Sequence, residues 1–241
     1  MANGPVLVSV NVGLPREMGV AGAPDPFDRP WTSGIFKEPV AGAVRLGRTN
    51  LDGDGQGDLK NHGGADKAVN AYAADHYPAW RAELGLDLAD FPFAAFGENF
   101  TVAGLTEETV CIGDVYAVGE ARVQVSQPRQ PCWKLARRWR IRDLAARVEA
   151  SGRTGWYFRV LTEGHVEAGQ PLTLLDRPFP QWAVARANAI MRARKADEID
   201  RETVAAFAAC PALAQGWRDT LAKRIAGNRP GSPHRRLYGA N

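Results

Sequence analysis

Val115-Tyr-Ala-Val-Gly-Glu-Ala-Arg-Val-Gln-Val-Ser-Gln-Pro-Arg-Gln-Pro-Cys132 carries the strongest structural signal in this chain. Around the turn Gly119-Glu-Ala, apolar and polar residues alternate, the period-2 pattern of a hairpin with one buried face. After Ser126 the alternation stops. Two prolines then stiffen a loop that delivers Cys132 to the first turn of a following helix. Working outward, Val6, Val8, Val10 and Val12 alternate in the same way, and residues 156–161 and 171–175 are further strands joined through 164–169. Short strands between Gly-rich turns predict a β-rich, mixed α/β domain.

Two helices interrupt these strands. Asp66 can N-cap a segment with Val69, Tyr72, Ala73 and His76 on one face, ending near Gly85, with Pro78 breaking or restarting it. A second spans 133–150, with Leu135, Trp139, Ile141, Leu144, Ala145 and Val148 near helical spacing and Gly152 as its stop. Beyond Pro178 the texture changes to alanine-rich, helix-periodic segments at 181–194, 201–209 and 212–226. The expected organisation is therefore a β-domain over residues 1–177 and a three-helix extension with a C-terminal tail over 178–241. The tail from Gly227 reads as surface extension, and no internal repeat is visible.

Of the 241 residues, 45% are hydrophobic and 24% charged, a balance that excludes disordered and fibrous classes. Three scattered cysteines do not suit a disulfide framework. The first fourteen residues lack the basic region of a secretory signal, and no uncharged apolar run approaches the ~20 residues of a membrane span. These features predict a cytoplasmic protein. The net charge is +3, but residues 122–159 hold ten Lys and Arg against Asp143 and Glu149. Such a local surplus suits anions, while its bland reading is a solvated helix face. A nucleic-acid module built on Arg137-Arg-Trp-Arg-Ile-Arg142 is the least favoured use of it.

Several motifs bear on chemistry. Asp52-Gly-Asp-Gly-Gln-Gly-Asp58 fails as a calcium loop, because the twelfth position is Gly63, and its G-x-G-x-G spacing fails as a dinucleotide loop. A flexible turn with backbone N–H groups open to a ligand survives. Asn61-His-Gly-Gly-Ala-Asp-Lys67 places His62 before a helix start, where an anion is favoured, with Lys60 and Lys67 beside it. A capping turn with a surface histidine is the alternative. Phe96-Gly-Glu-Asn-Phe100 sets Asn99, which both donates and accepts, at a strand mouth, where it could read a heterocycle edge. Asn70 lies one turn after Lys67 and shares its helical face. Lys37 is a lone cation in a strand, Ile35-Phe-Lys-Glu, that alternation could point inward. Cys132, at a helix start among Arg129, Lys134, Arg137 and Arg138, is set to act as a thiolate, either nucleophile or soft metal ligand. Cys111 and Cys210 read as packing residues. A cysteine protease would draw its base from His62, His76 or His165, but no such motif surrounds Cys132.

Gly55-Gln-Gly-Asp58, Asn61-His-Gly-Gly-Ala-Asp-Lys67, His76-Tyr77, Phe96-Gly-Glu-Asn99, Gly104-Leu-Thr106, Gly113-Asp114 and Val125-Ser-Gln-Pro-Arg-Gln-Pro-Cys132 together resemble the MOSC domain, in order and approximate spacing, and specifically its YiiM-like branch. The resemblance spans residues 9–175, and the helices after Pro178 resemble that branch's three-helix extension. It implies a partly barrel-like β-domain with surrounding helices and binding of molybdenum cofactor (Mo-molybdopterin). It also implies that Cys132 ligates the metal or its sulfur. The implied activity is reduction of N-hydroxylated compounds such as N-hydroxylated purine bases, with electrons from a separate reductase. A carrier that holds the cofactor or its sulfur for another enzyme is the alternative. The expected site gathers Cys132 and His62 as catalytic residues, Cys132 also as metal ligand. Lys37, Lys60, Lys67, Asn70, Asn99 and Arg129 are placed around the cofactor.

Overall fold

The hairpin is present: Val115–Val118 pairs antiparallel with Ala121–Pro128, Val118 facing Ala121 across the turn. It belongs to a computed structural model that describes residues 4–193, 199–228 and 231–239, with the side chains of Lys60 and Asn61 left out of the description. Among the described residues the main sheet has eight strands. Their order is Thr173–Asp176, Val115–Val118, Ala121–Pro128, Trp156–Thr162, Val69–Ala73, Phe100–Ala103, Val6–Val12 and Glu38–Pro39. All neighbours are antiparallel except Val69–Ala73 and Phe100–Ala103, which run parallel. The sheet curls until its ends meet. The Leu7 N–H donates to the Gln170 carbonyl at 2.9 Å, the Gly169 N–H to Leu7 at 2.7 Å and the Leu172 N–H to Pro5 at 2.9 Å. These bonds give the domain its partly barrel-like form and satisfy strand edges that would otherwise be open.

Two hydrophobic clusters flank the curl. One combines sheet residues such as Leu7, Val123, Trp156 and Phe158 with Val184, Ile190, Phe207, Trp217 and Leu221 of the C-terminal helices Val184–Arg192, Arg201–Ala208 and Gln215–Ile225. The other is mostly aromatic: Tyr72, Tyr77, Trp80, Phe91 and Phe96 packed with Leu135, Leu144 and Val148. Tyr72 and Phe96 stack there with centroids 4.0 Å apart. No helix of the described residues is long and apolar enough to cross a membrane.

Four local expectations change. The helix expected from Asp66 is instead a single 3-10 turn, Ala65–Lys67, followed by the strand Val69–Ala73; the α-helix starts only at Tyr77, with Pro78 in its first turn, where a proline starts a helix. Every residue of that strand is buried, so it has no polar alternation to show. Asp66 does not cap its own segment: its carboxylate pairs with Arg159 at 2.8 Å and accepts from the N–H of Gln215, the first residue of the helix Gln215–Ile225, at 3.2 Å. The expected 133–150 helix is two, Trp133–Trp139 and Leu144–Ser151, because Arg140 adopts a left-handed conformation at φ 58° and ends the first. Lys37 precedes the two-residue strand Glu38–Pro39 and lies in a loop. The tail is not a free extension either. His234–Tyr238 is a short helix with Leu237 buried.

Candidate functional site

Three loops meet above the parallel strand pair. Residues 33–37 and 55–58 interlock: a side chain added at Gly34 would place its Cβ 2.1 Å from the Gly55 carbonyl oxygen. Only glycine lets the two backbones approach this closely. The third is the proline-stiffened stretch 129–134, held by the Arg129 N–H donating to the Gly155 carbonyl at 3.0 Å. They border an open cleft lined by Lys37, His62, Lys67, Asn70, Asn99, Arg129 and Cys132. Seven of the eight side chains singled out from the sequence thus face one space. The eighth, Lys60, lies outside the described side chains.

The deep wall is a bonded lattice. Lys37 pairs with Asp54, whose carboxylate also accepts from the Gly13 N–H at 2.9 Å and from Asn99 Nδ2 at 3.0 Å. Asn99 Oδ1 accepts from the Asn70 N–H at 3.1 Å, and Asn70 Nδ2 donates to the Gly97 carbonyl at 3.1 Å. Arg129 Nη2 donates to the Phe96 carbonyl at 2.9 Å. Two polar atoms are left over. Asn70 Oδ1 and Arg129 Nη1 are buried without a hydrogen-bond partner, on residues only 8% and 6% exposed. An unmet buried group costs about 1–3 kcal/mol, so an acceptor and a cationic donor are available here to a ligand. Burial lowers the Lys37 pKa, and the neighbouring Asp54 opposes that shift.

Burial, reinforced by charge, sets the state of His62. Burial, and then the nearby Lys134, Arg129 and Lys67, bring its pKa down to about 4, against a smaller opposing effect of Asp58. The imidazole is therefore neutral at pH 7, and an anion in the cleft would raise its proton affinity. The expected helix dipole is not the cause, because His62 closes the one-turn helix Leu59–His62 and no α-helix starts beside it. Burial also lowers the Lys67 pKa, opposed by Asp66 and Asp58. Cys132 is half-buried and occupies the N-cap position of Trp133–Trp139. Cys111 and Cys210 are buried away from the cleft, their thiols pushed up by burial. Among the described residues no group of three or more His, Cys, Asp or Glu could hold a metal ion by side chains alone.

The basic run next to the site is used internally. Arg137 donates to the Arg29 carbonyl at 3.0 Å, Arg138 to the Ala94 carbonyl at 2.6 Å, and Arg140 and Arg142 pair with Asp28 and Asp25. Sequence reasoning missed Gln130 and Tyr157 as cleft residues and Asp54 as the buried partner behind Lys37 and Asn99. Asp54 had only a weak signal, as one of three acids in the run Asp52–Asp58 that could meet a buried cation. Gln130 and Tyr157 had none.

Comparison with known proteins adds the following. The pattern of the "MOSC domain" family matches residues 58–173, and that of the "YiiM-like, 3-alpha helix domain" matches 182–228. YflK of Bacillus subtilis is 45% identical over 218 residues, covering 90% of this chain and 93% of that protein. A protein named "Reductase" from Gibberella moniliformis is 39% identical over 164 residues, 68% of this chain but 29% of its own length. The crystal structure of YiiM from Geobacillus stearothermophilus superposes with a TM-score of 0.74 at 39% identity, over 92% of this chain and 99% of that one.

Proposed function

Since the chain belongs to the MOSC domain family, in the branch with the YiiM-like three-helix domain, we propose that it is a molybdenum-cofactor-dependent reductase of N-hydroxylated compounds, N-hydroxylated purine bases among them. The observation that carries the reading is the pair of unmet buried groups, Asn70 Oδ1 and Arg129 Nη1, lining the same cleft as the half-buried Cys132 thiol. That set fits a molybdopterin chemically. Asn70 and Asn99 suit the polar edge of a pterin, Arg129, Lys67 and Lys134 suit its phosphate, and Cys132 is the soft donor for a soft metal. When bound, the cofactor supplies two-electron redox chemistry at molybdenum.

The chain's own residues position and protonate. Reducing an N–OH group to N–H takes two electrons and two protons and releases water. Neutral His62 can take up a proton once bound anions offset Lys134 and Arg129, which makes it the candidate proton donor. Lys37, locked on Asp54, holds Asn99 and hence Asn70 in place. Electrons come from a separate reductase. The fungal "Reductase" joins its matched region to a much longer chain, which accords with electrons arriving from outside that region.

The test uses protein loaded with the cofactor, an artificial reductant and an N-hydroxylated purine. Formation of the amine supports the reductase. Transfer of the cofactor to an acceptor apoenzyme, with no amine formed, would replace this reading with that of a carrier.

A further inference from the structure

Outward from Cys132 the cleft opens into a wider, solvent-open chamber that shares His62, Lys67, Cys132 and Lys134 with the inner part. Its far wall comes from the C-terminal segment, which contributes Ser232, Arg235 and Arg236. That segment is anchored. Leu237 is buried, a side chain added at Gly239 would place its Cβ 3.5 Å from the Trp133 ring, and Arg236 both pairs with Glu149 and donates to the Pro131 carbonyl at 2.6 Å, one residue before Cys132. Trp31 and Trp133, with centroids 5.7 Å apart, edge the same space.

The charges are uneven. Lys67, Lys134, Arg235 and Arg236 line the chamber against Asp58 as its one carboxylate among the described residues. Arg236 is neutralised by Glu149, whereas Arg235 is exposed and forms no ion pair among the described residues. Resting on the reductase reading above, we propose that this chamber is the substrate's entrance and that Arg235, placed there by the C-terminal segment, selects anionic substrates, favouring a phosphorylated N-hydroxylated nucleoside over its free base. A cation at the rim of a low-dielectric cleft concentrates anions and raises their rate of entry, and this advantage fades with salt.

Cys132 reports on entry without any cofactor. In the full-length protein free of cofactor, its alkylation is followed by mass spectrometry with iodoacetate, an anion, and iodoacetamide, its neutral analogue. Taking the ratio of the two rates cancels any change in the thiol itself. For Arg235→Glu the ratio should fall about tenfold at low salt, Arg235→Lys should keep it, and 0.5 M salt should shrink the difference. In the loaded enzyme, the kcat/KM ratio of the phosphorylated substrate to the free base should fall alike. An alkylation ratio that moves less than twofold in Arg235→Glu overturns the proposal. Absence of turnover with either substrate counts against the reductase reading alone, because the alkylation ratio decides the chamber by itself.

Discussion

The two walls of the cleft are built on different principles. The inner wall is a fixed lattice: Asn70 sits in the strand Val69–Ala73 and its N–H holds Asn99, while Lys37 and Asp54, from two loops, form an ion pair whose side chains are 6% and 0% exposed. The outer wall rides on loops and a five-residue helix, and its lysines and Arg235 face solvent or half-buried space. Preorganised groups suit a ligand bound once and held, while adaptable ones suit ligands that come and go. The contrast breaks most visibly at Asp54. Asp54→Ala leaves a buried ammonium uncompensated and should cost about 3–5 kcal/mol in chemical denaturation. Adding Lys37→Met removes the orphaned charge and should recover part of that loss. A single-variant cost below about 1 kcal/mol would show that the ion pair does not organise the wall.

At the junction of the walls, Cys132→Ser should abolish activity by more than the roughly 10–100-fold typical of outer partners of a metal site. Stability should stay within ~0.5 kcal/mol, because Cys132 lies outside both hydrophobic clusters. Cys111→Ala and Cys210→Ala should show the reverse, with activity kept and a modest loss of stability. Metal content and turnover of the three variants, measured side by side, decide the matter.

His62 gives the junction a pH signature. Its folded pKa of about 4 lies below the unfolded value of 6.5, so between these values the unfolded chain binds the extra proton. Stability from this group is complete above pH 6.5 and is lost as pH falls towards 4, at no more than about 1.4 kcal/mol per unit. His62→Asn should flatten that limb of the curve of stability against pH. An unchanged slope would mean that the imidazole is better solvated than its cationic neighbours suggest.

The inner wall was the less legible of the two in its physics, although its residues were found. Asn70 faces the cleft as expected, but from a strand rather than a helix. Val69, Tyr72, Ala73 and His76 satisfy helical spacing, and a fully buried five-residue strand offers no alternation to contradict it. Lys37 points inward because Asp54 draws it, a long-range pairing that no local pattern encodes. The hairpin 115–128 and the three C-terminal helices were readable, since each has one wet and one dry face. The break at Arg140 was not: its positive φ falls on a residue that gives no turn signal, where glycine or asparagine would have given one. Nor was the folded tail, whose one buried apolar side chain, Leu237, is too little for any periodicity.

The smallest effect is expected at the outer wall. Arg236 is partly exposed, so losing its pair with Glu149 in Arg236→Gln should cost global stability only about 1 kcal/mol. Its consequence should be local. Leu237 is the one buried apolar side chain of the segment 231–239 among the described residues, a small apolar area for a nine-residue stretch. Short surface elements of this kind open at free energies far below that of global unfolding. Amide exchange at Leu237 and Gly239, whose N–H groups donate to the Pro233 and Arg235 carbonyls at 3.0 Å, should therefore accelerate severalfold in the variant. Exchange at Asn99 and Asn70, deep in the sheet, should not change. Faster exchange at both places would mean that the walls unfold as one unit and that the distinction between them is false. Unchanged exchange at Leu237 would mean that apolar packing, and not the arginine, fastens the outer wall.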